Sequence, residues 1–139
     1  MSDEAEQTGL RPVLNSTEAQ LFVADIKASC DFYTGKLGFT VAFVHGDPPY
    51  YGQVTRDQAR LNLRVIGEPV FAGDIRERER LLSASLTVAT LDEIKQLFLN
   101  YQARGVRFSQ TLMKEPWGAT TFIVADPDGN LILFAGPAD

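Results

Sequence analysis

Few side chains in this chain have the types and spacing for covalent chemistry. His45 is the sole histidine and Cys30 the sole cysteine. A histidine general base needs an orienting partner and a substrate proton within reach; His45 ends a strand pattern just before Pro48-Pro49 and reads as polar surface. Cys30 lies mid-helix with no histidine or basic pattern beside it, the setting of a small buried apolar residue. The sequence is better supplied for binding. Trp117, the only tryptophan, has two readings. One is a platform that stacks on a flat heteroaromatic ligand, adding roughly 0.5–1.5 kcal/mol beyond area burial; the other is a core or dimer-interface residue. Phe22, Tyr50 and Tyr51 are candidate stacking partners, and Phe43 shares a strand face with His45 at the rim of the same cleft. Glu18 and Asp47 would draw a cationic ligand tail. Arg60 and Arg64 oppose that, and would bind an anion or pair with Glu18.

Two copies of one unit must position these residues. Leu21-Phe22-Val23-Ala24-Asp25-Ile26 returns 65 residues later as Leu86-Thr87-Val88-Ala89-Thr90-Leu91. Gly38-Phe39 pairs with Gly105-Val106, and Tyr51-Gly52 with Trp117-Gly118. Hydrophobic periodicity predicts strands over 18–24, 40–45, 50–55 and 59–66 in the first copy, with a helix over 27–36. The second copy reads as strand 83–89, helix 91–104 and strands 106–110, 119–125 and 130–135. The two copies span residues 16–66 and 83–136, joined by a linker over 67–82. The linker's mixed-charge run Asp74–Arg80 predicts a solvated helix with internal ion pairs. Residues 1–12 read as a disordered tail, and 13–139 as one domain. The expected class is α+β, two βαβββ modules forming a curved, half-barrel mixed sheet with helices on its outer face. Neither copy is long enough to bury its sheet alone, so the pair should share a core and enclose a ligand between them.

Strand alternation separates the faces. Leu61, Leu63 and Val65 oppose Arg60, Asn62 and Arg64; Ala84, Leu86 and Val88 oppose Ser83, Ser85 and Thr87; Leu21 and Val23 oppose Glu18, Gln20 and Phe22. The apolar sets belong under the helices, and the polar and aromatic sets line a cleft. Bulk properties narrow the occupant. A formal charge of −5 leaves no excess of cations to neutralise phosphates, which excludes nucleic acid as the partner. No apolar run is long enough for a membrane span, and the acidic start is unlike a signal peptide. One cysteine excludes an internal disulfide, so the cytoplasm is the expected compartment.

The ordered elements Leu21–Ile26, Asp31-Phe32-Tyr33, Lys36-Leu37-Gly38-Phe39, Pro116-Trp117-Gly118 and Asp126-Pro127-Asp128-Gly129-Asn130 resemble the glyoxalase/bleomycin-resistance/dioxygenase superfamily, also called the vicinal oxygen chelate fold. The likeness runs from about Gln20 to Ala135. Enzymes of that superfamily hold a divalent metal through His, Gln or Glu on the first, fourth, fifth and eighth strands. Those positions fall here on Glu18, Asn62, Ser83 and Leu133, a set short of donors. The resemblance is nearer to the bleomycin-resistance branch, whose members lack the metal ligands and sequester drug in clefts of a homodimer. It implies a metal-independent protein that sequesters a planar, antibiotic-type small molecule, with Trp117 as the stacking platform. Phe22, Tyr50, Tyr51 and Phe43 would be its aromatic partners, and Glu18, Gln20, Asn62 and Ser85 its polar contacts. No catalytic residue, metal ligand or cofactor is assigned. The alternative is a divalent-metal-dependent lyase, isomerase or dioxygenase-like enzyme with a non-standard site on Glu18. Asp126–Asn130 needs no role beyond a tight turn.

Overall fold

The computed structural model describes residues 9–69 and 73–139; residues 1–8 of the tail expected over 1–12, and the linker residues 70–72, lie outside the described residues. The first module runs β1 (Ala19–Val23), α1 (Ile26–Gly35), β2 (Thr40–His45), β3 (Tyr51–Arg56) and β4 (Ala59–Val65). After a short α2 (Ile75–Arg78), the second runs β5 (Leu82–Thr87), α3 (Leu91–Ala103), β6 (Phe108–Lys114), β7 (Ala119–Ala125) and β8 (Leu131–Pro137). Each module is a four-stranded mixed sheet, ordered β1-β4-β3-β2 and β5-β8-β7-β6. In each, the first and last strands pair in parallel and the others antiparallel. Among the described residues the fold is α+β, with two separate sheets and no closed barrel. The expected helix in the linker is one short turn with ion pairs from Arg78 to Asp74 and Glu79.

Local chemistry starts and stops the long helices. Asp25 caps α1 by accepting from the Ala28 N–H. Thr90 caps α3 by accepting from the Glu93 N–H while its hydroxyl donates to the Glu93 carboxylate. The buried positions of α1 are Ile26, Ser29, Cys30 and Tyr33, and those of α3 are Ile94, Leu97 and Tyr101, each one stripe at helical spacing. Past α1, Gly38 has φ +77, and a Cβ there would lie 3.1 Å from the Arg56 guanidinium. Glycine satisfies both the left-handed backbone and the close approach.

One core joins the modules. It runs from Leu21, Leu37, Leu61 and Leu63 through Ile94 and Tyr101 to Phe122, Val124, Ile132 and Phe134. The two helix ends also clasp each other: Lys36 Nζ donates to the Arg104 carbonyl at 2.7 Å, and Arg104 donates to the Lys36 carbonyl at 3.4 Å. That reciprocity marks a pseudo-twofold relation between the copies. The relation corrects one detail of the repeat. Strand register sets Val54 beside Leu61 and Val124 beside Ile132, so Tyr51 in β3 corresponds to Thr121 in β7. Trp117 lies in the turn ahead of β7. The extra residues entered through a longer helix, 13 residues against 10, and through the irregular register of β6.

Candidate functional site

The faces of the sheets turned away from the helices carry most of the binding residues read from the sequence. Directly paired residues on adjacent strands point to the same side. In the first sheet this produces a row Gln20–Asn62–Gln53–Phe43 and a second row Phe22–Arg64–Tyr51–His45. Gln20, Phe22, Phe43, Tyr51 and Asn62 therefore share one face, with Arg64 between Phe22 and Tyr51. Phe43 and Tyr51 are in ring contact at 5.9 Å.

Polar groups in the first row satisfy one another. Gln53 donates through Nε2 to Asn62 Oδ1 at 2.9 Å and to Glu18 Oε1 at 3.3 Å. Asn62 Nδ2 donates to the same Glu18 oxygen at 3.0 Å. Arg60 stands 3.7 Å from the other oxygen, a half-exposed pair that contributes little alone. Asn62 is only 4% exposed, so this network is what makes a buried amide tolerable here. Gln53 is the member that the sequence reading missed; the signal was its register opposite Asn62, which alternation alone does not reveal.

In the second sheet the row equivalent to Gln20–Asn62–Gln53–Phe43 is Ser85–Leu133–Ile123–Gln110. Its centre is apolar: Ile123, Ala125 and Leu131 are buried together with Leu133 packed on them. A polar chain borders it, from Arg80 to Gln110 at 3.2 Å, Gln110 to Thr121 at 2.9 Å and Thr121 to Glu115 at 2.8 Å. Ser85 is exposed on this face, whereas Ser83 donates to Asn130 at 3.2 Å.

The aromatic residues are not gathered into one box. Trp117 sits in the β6–β7 turn, closed by a bond from the Gly118 N–H to the Glu115 carbonyl, and is 76% exposed. Tyr50 lies just before β3, 54% exposed, with its ring edge-on to His45 at 5.5 Å. Cys30 is buried, and burial pushes its thiol up from the ordinary value, which suppresses the thiolate.

The superfamily's metal positions can be tested on this geometry. Both oxygens of Glu18 already face donors, the Asn62 oxygen accepts from Gln53, and Leu133 belongs to an apolar cluster. No group of three or more His, Cys, Asp or Glu side chains comes together among the described residues. The residues present do not fit a transition-metal centre.

The Asp126–Asn130 turn is a latch between modules as well as a turn. Asp126 is 2% exposed and accepts from the Tyr33 hydroxyl, from the Asp128 and Asn130 N–H groups and from the Asn130 amide. Asn130 donates to the Phe22 carbonyl, and Asp128 accepts from the Ala24 N–H. Burial pushes the Asp126 carboxyl above its ordinary value, and these hydrogen bonds pull it partly back.

Comparison with known proteins agrees with this architecture. The profile described as Glyoxalase/Bleomycin resistance protein/Dioxygenase superfamily matches residues 14–134. A bleomycin resistance protein of Geobacillus stearothermophilus is 31% identical over 123 residues, covering 81% of this chain and 89% of the relative. Among solved structures, the bleomycin resistance determinant encoded on transposon Tn5 superposes with a TM-score of 0.69 at 19% identity, covering 89% of this chain and 98% of that one. A glyoxalase/bleomycin resistance protein/dioxygenase from Alicyclobacillus acidocaldarius gives a TM-score of 0.70 at 19% identity, covering 90% and 92%.

Proposed function

Because this chain belongs to the glyoxalase/bleomycin resistance protein/dioxygenase superfamily, we propose that it is a metal-independent binding protein of the bleomycin-resistance type. It sequesters a planar, antibiotic-type small molecule in a cleft completed by a second copy. No bond is broken; holding the ligand is the function. The observation that carries the reading is the pairing of two unlike helix-free faces. One is a polar-aromatic face built on Phe22, Phe43, Tyr51, Gln20 and Asn62. The other is apolar at its centre, with Ile123 beside Leu133, and Leu133 stands where a metal enzyme would need a donor. Such a cleft can seat a flat apolar body against the second face and its polar edges against the first.

What a single copy leaves uncovered supports the homodimer. Edge strand β2 is exposed along its whole length, with Val41, Phe43 and Val44 each 39–45% exposed; Tyr50, in the turn after it, and Trp117, in the β6–β7 turn of the other sheet, are 54% and 76% exposed. Natural proteins cover or charge such an edge; in this reading a second copy covers it and brings Trp117 and the tyrosines onto the ligand. Ser85 and Glu18 supply polar contacts at the rim. The protein works in the cytoplasm, in keeping with one buried cysteine.

Thermal unfolding against metal-free bleomycin, other planar antibiotics, and divalent cations with a chelator control tests the proposal. A ligand at a hundred times its dissociation constant adds about 2.7 kcal/mol to the native state, a midpoint rise of several degrees. A dose-dependent rise with an antibiotic and none with metals is expected. A rise with a metal, lost on chelation, would replace sequestration by the metal-dependent enzyme reading.

A further inference from the structure

The pseudo-twofold relation has two ends, and they are not finished alike. At one end Tyr33 of α1 reaches the β7–β8 turn and donates to Asp126 at 2.9 Å. At the other, its counterpart Tyr101 of α3 reaches the β3–β4 turn, donates to the Leu37 carbonyl and accepts from Arg56 at 3.1 Å. Arg56 is paired with Ala59 at the close of its turn. The residues closing the other turn are Asp126 and Asn130, joined through backbone. A carboxylate at one end is thus a guanidinium at the other, and the asparagine that plugs the first end is an alanine at the second.

The end with the smaller side chain also holds the larger space. A cavity of about 410 Å³ opens between α3 and the β3–β4 turn, against about 190 Å³ at the other end. At that smaller end Asp128 and the linker residues Ile66, Glu68 and Arg76 help to line what remains. The larger cavity falls within the ~300–1,000 Å³ that holds small ligands. Its apolar wall is Leu86, Val88, Leu97 and Phe134, and its polar mouth includes Arg56.

We propose that this cavity is a second small-molecule site, on the helix side of the sheets, which takes a compact apolar carboxylic acid with its carboxylate on Arg56. Geometry favours an acid. One nitrogen of Arg56 is held by the Leu37 carbonyl and the Tyr101 hydroxyl, which anchors the guanidinium and leaves its remaining donors for a bidentate partner. Two acids border the mouth. Glu93 is engaged by its cap Thr90. Asp57 is 4.0 Å from Arg56 with its side chain 91% exposed, a pair weak enough for a ligand carboxylate to displace. Bound there, the ligand would restore to this end the carboxylate that Asp126 supplies at the other. The site is independent of the helix-free faces and does not rest on the sequestration reading.

Sodium octanoate and sodium 2-naphthoate, one linear and one flat, are the probes, titrated by calorimetry and by methyl NMR, with octan-1-ol as the uncharged control. Saturable binding of at least one acid is expected, with shifts at the Leu86, Val88 and Leu97 methyls and at least tenfold weaker binding of octan-1-ol. Arg56→Gln and Ala59→Leu should each weaken the acid at least tenfold. Ala59→Leu fills the space without touching the bonds of Arg56, so it decides the matter if Arg56→Gln does not fold. No saturable binding of either acid, equal binding of octan-1-ol, or wild-type affinity in the folded variants would overturn the proposal.

Discussion

The two modules pair the same strands in the same order and put opposite chemistry on their helix-free faces. In the first, Asn62 and Gln53 face Glu18 in a closed set of hydrogen bonds. In the second, the equivalent Leu133 and Ile123 form a small dry cluster with Ala125 and Leu131. The backbone is the shared inheritance of the duplication; the character of each helix-free face is decided at its centre by two side chains per sheet. A polar pair is stable on such a face only when both members find partners, and an apolar pair only when its neighbours exclude water.

Exchanging the chemistry of the faces breaks the comparison in the most costly direction at Ile123. Ile123→Gln places an amide of similar size where Ile123 is 3% exposed, between Leu133 on one side and, on the other, Gln110, whose amide is already bonded to Arg80 and Thr121. The lost burial and the unsatisfied amide together should cost roughly 2–4 kcal/mol, read as a lower urea midpoint at unchanged m-value. A loss under about 1 kcal/mol would mean that this face admits water and is not dry.

The turns repeat the contrast, since Asp126 stands where the first module has Arg56. A carboxyl whose folded-state pKa lies above its unfolded value binds its proton more tightly when folded. The stability this gives is full below the unfolded value and is lost as pH rises through the folded one. Each unit of upward shift corresponds to about 1.4 kcal/mol. Stability relative to Asp126→Asn, followed by urea unfolding from about pH 3.5 to pH 8, should therefore fall with rising pH and then level off. A difference that does not change with pH would mean that the hydrogen bonds from Tyr33, Asn130 and Asp128 fully offset the burial.

The reverse exchange on the first face should be milder. Asn62→Leu copies the second module, but Glu18 and the amide of Gln53 can turn to water, so the expected loss is about 1 kcal/mol or less. Adding Gln53→Ile should recover part of it, because removing both partners of a hydrogen bond is nearly neutral. A double variant less stable than the sum of the singles would show that Glu18 depends on the pair for its own position.

Legibility in the sequence followed the physics of each feature. The start of the first helix after Asp25, the glycine stop at Gly38 and the alternation of β1, β4 and β5 are local, and each is readable from a few neighbouring residues. Strand pairing is not local. Phe22, Tyr51 and Phe43 could be read as aromatic candidates, but only register shows that Arg64 stands between the first two. Gln53 went unseen for the same reason, as did the reach of Tyr33 to Asp126 across 93 positions. The duplication itself misled at Trp117, because likeness of short strings does not register the residues that α3 and β6 gained. Tyr51-Gly52 and Trp117-Gly118 match as letters and occupy different places in their modules.

That displacement gives Trp117 the smallest expected effect on the fold and the sharpest one on function. A tryptophan 76% exposed in a hairpin turn has little burial to lose, so Trp117→Ala should change unfolding stability by no more than about 0.5 kcal/mol. The turn is closed by backbone at Glu115 and Gly118, which the substitution leaves in place. If Trp117 stacks on the sequestered ligand, the same substitution should weaken binding by more than tenfold, about 1.4 kcal/mol or more. The two readouts together separate the possibilities for this residue. Lost affinity at constant stability places Trp117 on the ligand. Unchanged affinity removes it from the site and leaves binding to Phe22, Tyr51 and Phe43. A drop in stability that deepens on dilution would assign it instead to the contact between copies, where its burial, and not its stacking, is what the second module contributes.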